Sequence, residues 1–67
     1  MTTENKHERT NASFRGAAMD YVEAQLNVMR KYGSNPILSP EQYYKLVAKI
    51  EAVGKELWLA SGGTIKP

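Results

Sequence analysis

The chain has 67 residues, with nine Lys and Arg against seven Asp and Glu, a formal net charge of +2, no cysteine and one histidine. This length allows one domain at most, and the lack of cysteine excludes both a disulfide framework and a cysteine metal site. The single histidine, His7, cannot build a zinc site, and a charge so close to balance is weak evidence for binding to nucleic acid or an anionic membrane.

Residues 1–10 are polar after Met1 and show no apolar period, so we expect them to form a flexible tail. The start of the chain contains no apolar stretch of the kind that a secretory signal needs. No run of apolar residues approaches the roughly 18 that a membrane span requires. The sequence therefore favours a cytoplasmic protein that has no membrane partner.

The first helical pattern runs from about residue 12 to residue 32. Gly33 follows it and can adopt the left-handed conformation that closes a helix. The start of this helix is less clearly marked, because Thr10, Asn11 and Ser13 can each provide a capping oxygen.

The second helical pattern runs from residue 40 to about residue 61, after a connector of residues 33–39. Ser39 can cap this helix, and Pro40 occupies the first helical position, where a missing N–H has no cost. Gln42 completes a Ser-x-x-Gln capping box. The glycine pair at 62 and 63 marks the end of the helix.

These elements predict an all-α fold in which the two helices form an antiparallel hairpin. The predicted division is a flexible polar tail over residues 1–10, a helical hairpin domain over 11–63 and a C-terminal tail over 64–67. No segment shows the alternating pattern of a strand, so the sequence predicts none.

The two helices carry apolar arcs of different width. Placing residues at about 100° per step gives the second helix an apolar arc of roughly 140°, which one neighbouring helix can cover. The first helix has an arc of roughly 220°, which a single neighbour cannot cover. We therefore expect the isolated monomer to be marginally stable. A homodimer that forms a four-helix bundle, or a protein partner, would complete the packing.

Catalysis has few candidate residues in this sequence. There is no cysteine nucleophile, the one imidazole lies in the predicted tail, and no Gly-rich phosphate loop is present. Asp20 and Glu23 share a polar strip that is typical of a solvated helix face. We expect a protein that is not an enzyme and that binds no cofactor or metal.

The residues expected to bind a partner are of types enriched at interface hot spots, or occupy positions that a lone hairpin leaves uncovered. They are Arg15, Met19, Leu26, Tyr44, Trp58 and Leu59. Residues 57–59 are consecutive and apolar, so they point in three directions around the helix. We expect Trp58 to be mainly core, with Tyr44 and Leu59 at an interface.

Small size, a polar tail and an unbalanced apolar surface are typical of accessory regulators, including those with which viruses of bacteria block host proteins. The sequence therefore predicts a regulatory protein that binds, modulates and most simply inhibits a protein target. The alternative is a nucleic-acid-binding transcriptional regulator. Its basic residues would be Lys6, Arg9, Arg15, Lys45, Lys49 and Lys55, which are interspersed with acidic residues.

Overall fold

The computed structural model describes residues 7–66. Helix α1 spans Asn11–Lys31 and helix α2 spans Pro40–Ala60. Two short strands flank them, β1 at Glu8–Thr10 and β2 at Thr64–Lys66. The described chain is thus mostly helical with two helices, as the sequence predicts, and each helix boundary lies within one residue of the predicted position.

Both helices begin at side-chain caps. The hydroxyl of Thr10 accepts a hydrogen bond from the backbone N–H of Ser13 at 3.2 Å, which selects Thr10 among the three candidates. The hydroxyl of Ser39 accepts from the backbone N–H of Gln42 at 3.2 Å, and the Gln42 side chain accepts in return from the Ser39 N–H at 3.3 Å. The predicted capping box is confirmed.

Both helices end in the same glycine motif. Gly33 and Gly62 have φ angles of 87° and 97°, a conformation that strains any residue with a Cβ. Each glycine N–H donates to the carbonyl three residues earlier, and the following N–H donates to the carbonyl five residues earlier, at 3.0 to 3.1 Å. These paired bonds satisfy carbonyls that the last helical turn leaves without partners.

The core lies along the seam between α1 and α2, which pack antiparallel. Among the described residues, four apolar side chains are buried: Phe14, Ala18, Val22 and Val47. Four half-buried side chains pack around this seam: Met19, Leu26, Tyr43 and Ile50. A core this small leaves much of the apolar surface of both helices in contact with solvent.

The two strands correct the prediction that no segment forms one. β1 and β2 pair in parallel, with Arg9 opposite Ile65. Each strand has three residues, too few to show an alternating pattern, and the pairing joins segments separated by the whole hairpin. Residues 1–6 and 67 of the predicted tails lie outside the described residues. The division into tails and domain stays a prediction.

The strand pair closes one end of the hairpin around Trp58. The ring of Phe14 meets Trp58 edge to face, with centroids 6.4 Å apart, and the guanidinium of Arg9 lies 3.9 Å from the centre of the Phe14 ring. The indole N–H donates to the carbonyl of Thr64 at 2.9 Å. Gly63 is buried against the indole, where an added Cβ would overlap ring atoms. Trp58 therefore connects α2 to both strands and to α1.

We predict that Gly63→Ala lowers the free energy of unfolding by about 1–3 kcal/mol, because the methyl group must displace the indole. Gly16→Ala is the matched control, since nothing lies within 4 Å of a Cβ added there. It should raise stability by roughly 0.5–1 kcal/mol, the usual gain for replacing a helical glycine. Urea denaturation followed by circular dichroism measures both. Equal stability of Gly63→Ala and wild type would contradict the role given to this end of the hairpin.

Candidate protein-binding surface

One side of the hairpin exposes apolar side chains along both helices. We call this side the apolar face; it consists of Ala17, Tyr21, Ala24 and Val28 of α1 with Leu46, Val53 and Leu57 of α2. In each helix these positions are spaced by three, four or seven residues, so they form one stripe. The five large side chains range in exposure from 40% at Leu46 to 71% at Leu57.

The two stripes form one continuous surface. Tyr21 of α1 and Val53 of α2 line the same open hollow of about 390 Å³, together with Lys49, Ile50 and Gly54. Single exposed apolar residues are ordinary on protein surfaces, whereas continuous exposed apolar patches are typical of interaction sites.

The opposite side of the hairpin is different in character. We call it the ion-pair face; it consists of Arg15, Met19 and Leu26 of α1 with Tyr44, Glu51, Lys55 and Leu59 of α2. Nε of Arg15 donates to Oε1 of Glu51 at 3.0 Å, which joins the two helices, and Nζ of Lys55 donates to Oε2 at 3.1 Å. Charged groups therefore cross the middle of this side.

The packing of the two helices shifts the pKa values of two side chains, Glu51 and Tyr43. The hydrogen bonds from Lys55 and from Arg15 hold the pKa of Glu51 below its ordinary value, and they outweigh the effect of burial, which acts in the opposite direction. Burial raises the pKa of Tyr43 beside the seam, and the nearby carboxylate of Glu23 adds to that effect.

The structure places the six sequence-predicted binding residues in two locations. Arg15, Met19, Leu26, Tyr44 and Leu59 come together on the ion-pair face, whereas Trp58 lies at the closed end of the seam. Met19 and Leu26 are half-buried against the core, while Tyr44 and Leu59 are 56% and 53% exposed. Tyr44 and Leu59 are exposed as expected, whereas Trp58 is half-buried and lies outside the buried core. The binding role of the six residues stays a prediction.

The apolar face is not predicted by the sequence. A helical wheel places Leu46, Val53 and Leu57 in the apolar arc of α2 that is expected to pack against α1, and the structure corrects this, since they are 40%, 63% and 71% exposed. The seam follows Val47, Gly54 and Trp58, at one side of the arc, because one helix covers only a narrow stripe of its neighbour. The expectation that one helix covers the whole arc of roughly 140° was therefore wrong, because the seam buries only one side of that arc.

The side chains that could hold a metal ion and the hollows of the surface bear on what the described residues can bind. Within residues 7–66, no group of three or more His, Cys, Asp or Glu side chains lies close enough to hold a metal ion. A hollow of about 250 Å³ beside Asn11 and Ala12 contains the charged ends of Arg15 and Glu51, which bond to each other. Over the same residues, neither helix combines the length and apolar character needed to cross a membrane.

We predict that Glu51 makes stability depend on pH. Its pKa is lowered from 4.5 in the folded chain, so its stabilising contribution is present above pH 4.5 and is lost as the pH falls through the folded value. Glu51→Gln should therefore be less stable than wild type at neutral pH, and the difference should shrink as the pH is lowered below 4.5. Urea midpoints of both proteins across this range measure the difference. A constant difference at every pH would contradict the assignment.

No known protein family, curated protein or solved structure matches this chain. Function must therefore be inferred from the two faces of the hairpin. Nothing in the described chain covers the apolar face, whereas the two central cations of the ion-pair face share one carboxylate.

Proposed function

We propose that this protein is a non-enzymatic regulator that acts by binding another protein through the apolar face, and that occupying the target inhibits it. The observation that carries the proposal is the exposure of five large apolar side chains in two adjoining stripes. Removing one such side chain from water contributes about 1.5–3 kcal/mol when burial is complete. Binding of a partner would bury these side chains and release this free energy, whereas the single hairpin leaves them in contact with water.

The shape of the apolar face favours a helical partner. Two antiparallel helices leave a groove between their stripes, and the side chains of a third helix can pack into such a groove. Tyr21 lies beside this groove near its middle, where a tyrosine combines a large apolar ring with a hydroxyl that can reach solvent. Tyrosines at the centre of an interface are frequent hot spots.

Two kinds of protein fit this face, namely a second copy of the chain and an unrelated target. The sequence predicts both, because the wide apolar arc of α1 needs cover from outside the hairpin. Either occupant buries the same side chains, so substitutions within the face test the proposal whichever occupant is present.

Contacts within the hairpin weaken the case for nucleic acid as the partner. Arg15 and Lys55 both bond to Glu51, and the guanidinium of Arg9 lies over the ring of Phe14. These cations are already engaged, whereas a phosphate-binding surface needs a cluster of available basic side chains. Of the other basic residues of this alternative, Lys6 lies outside the described residues, and Lys45 and Lys49 are exposed beside one hollow of α2. Two lysines alone make a weaker phosphate-binding surface than the six residues together.

Leu57 and Leu59 offer a matched test of which face binds. Both lie in α2 and are 71% and 53% exposed, but they lie on opposite faces of the hairpin. We predict that Leu57→Glu weakens partner binding by at least 2 kcal/mol, the scale of a hot-spot residue, and that Leu59→Glu leaves binding close to wild type. Both variants should keep wild-type helix content, because neither side chain is buried.

The measurement is affinity capture from an extract of the native cells, with and without nuclease, followed by titration of the captured protein against each variant. Loss of binding in Leu59→Glu but not in Leu57→Glu would move the site to the ion-pair face and contradict this proposal. Capture that disappears with nuclease would instead favour the nucleic-acid alternative, whose affinity should fall steeply with salt.

A further inference from the structure

We propose that the occupant of the apolar face is a second copy of this chain, with α1 of each copy lying against α2 of the other and with Asp20 paired to Lys49 of the partner subunit. This inference rests on the proposed function, because it takes the apolar face to be the binding surface. It specifies the partner and also the arrangement of the four helices.

Contacts within one hairpin fix which residues share a level along its length. A Cβ on Gly54 would lie 3.8 Å from the Phe14 ring, and Tyr21 lines one hollow with Lys49 and Val53. Because the helices are antiparallel, residue numbers rise along α1 in the direction in which they fall along α2. Ala17 therefore lies near the level of Val53, Ala24 near that of Leu46, and Asp20 near that of Lys49.

Rotation about a two-fold axis parallel to the helices does not change the level of any residue along the hairpin. When the two apolar faces meet about this axis, residues of one copy therefore lie opposite partner residues of the same level. It also sets α1 against the partner's α2, and every neighbouring pair in the resulting four-helix bundle is antiparallel. A two-fold axis across the helices would instead set α1 against α1 and α2 against α2. Both arrangements bury the apolar face, so side-chain size and charge decide between them.

Side-chain size favours the axis parallel to the helices. It places Ala17 opposite the partner's Val53, and Ala24 opposite the partner's Leu46. Both alanines are exposed, and the two facing side chains are 63% and 40% exposed. Small residues opposite large ones allow two faces to interdigitate without voids or clashes. The α1 stripe alternates small and large residues along its length, as this fit requires.

Charge favours the same axis. Asp20 and Lys49 are exposed at the outer edges of the apolar face, and neither forms an ion pair within 4.0 Å with another described residue. The axis parallel to the helices brings each Asp20 next to Lys49 of the partner subunit, twice per dimer. The other axis sets carboxylate near carboxylate on α1 and ammonium near ammonium on α2, which is unfavourable.

The size of the face suits a stable dimer. A helix of 21 residues is about 31 Å long and about 10 Å wide, so two helices present a face on the order of 600 Å². Stable interfaces bury roughly 800 Å² of accessible surface per partner, and the accessible surface of a face made of side chains is larger than this flat estimate. The ion-pair face stays outward on both sides of this bundle, and a target that binds the apolar face must displace the second copy.

Charge reversal tests this arrangement. Asp20→Lys and Lys49→Asp should each raise the dimer dissociation constant about tenfold or more, because each replaces two attractive pairs with two repulsive ones. The double variant D20K/K49D should return close to wild type. An equimolar mixture of the two single variants should form a heterodimer of near wild-type affinity. The effects should shrink in about 1 M salt, where the screening length falls to roughly 3 Å.

Sedimentation equilibrium of the full chain, from about 1 to 100 µM to span common dissociation constants, gives these affinities. Glu23→Lys is the matched control, since it reverses an exposed carboxylate of α1 outside the apolar face and should leave the mass distribution unchanged. Circular dichroism establishes that each variant keeps its helices.

A wild-type chain that stays monomeric at every concentration would overturn this inference. A dimer that is insensitive to both single reversals would overturn it as well, because the axis would then be a different one. The proposed function has a separate outcome. If the wild type is monomeric but Leu57→Glu still abolishes capture of a different protein, the apolar face is a binding surface whose occupant is not a second copy.

Discussion

A helix can bury only one stripe of its surface against one neighbour, and this limit governs the rest of the molecule. The seam between α1 and α2 buries Ala18, Val22 and Val47 along its middle and Phe14 towards one end. Every other large apolar side chain in the described part of the chain is half-buried or exposed. Polar interactions therefore add to this narrow apolar seam in holding the hairpin together, while the apolar surface that remains is available for binding.

Those polar interactions lie at the ends of the hairpin and on one side of it. Side-chain caps start both helices, glycine motifs end them, and Glu51 ties Arg15 of α1 to α2. The strand pair and Trp58 close the open end. Each exposed ion pair contributes little to the free energy of unfolding. The stability of the hairpin is therefore the sum of many small contributions and not the result of a large core. The opposite side carries none of these polar contacts and remains apolar.

The parts of the fold that the sequence predicts are those governed by local signals. Ser39, Gln42 and Gly33 act on neighbouring backbone groups, so the spacing of a few residues is enough to place the helix ends. The strands depend on the pairing of Arg9 with Ile65, which are separated by the whole hairpin in the sequence. A segment of three residues is too short to show the alternating pattern that would predict such a strand.

The apolar face was missed for a related reason. A helical wheel shows that Leu57 is on the apolar side of α2, but not how far round the helix the neighbouring α1 reaches. Leu57 is 71% exposed because the seam lies to one side of it. The position of the seam depends on how the side chains of both helices pack together, and the sequence of one helix does not show this. Leu59 was placed correctly at the surface because its position is opposite the centre of the apolar arc.

We propose that a second chain completes the packing that one hairpin leaves unfinished. Thermal unfolding at several protein concentrations tests this, because association linked to folding raises the unfolding temperature with protein concentration. We expect the midpoint of the wild type, followed by circular dichroism, to rise over a roughly hundredfold increase in concentration, and the midpoint of Leu57→Glu to stay constant. A wild-type midpoint that is the same at all concentrations would contradict the claim.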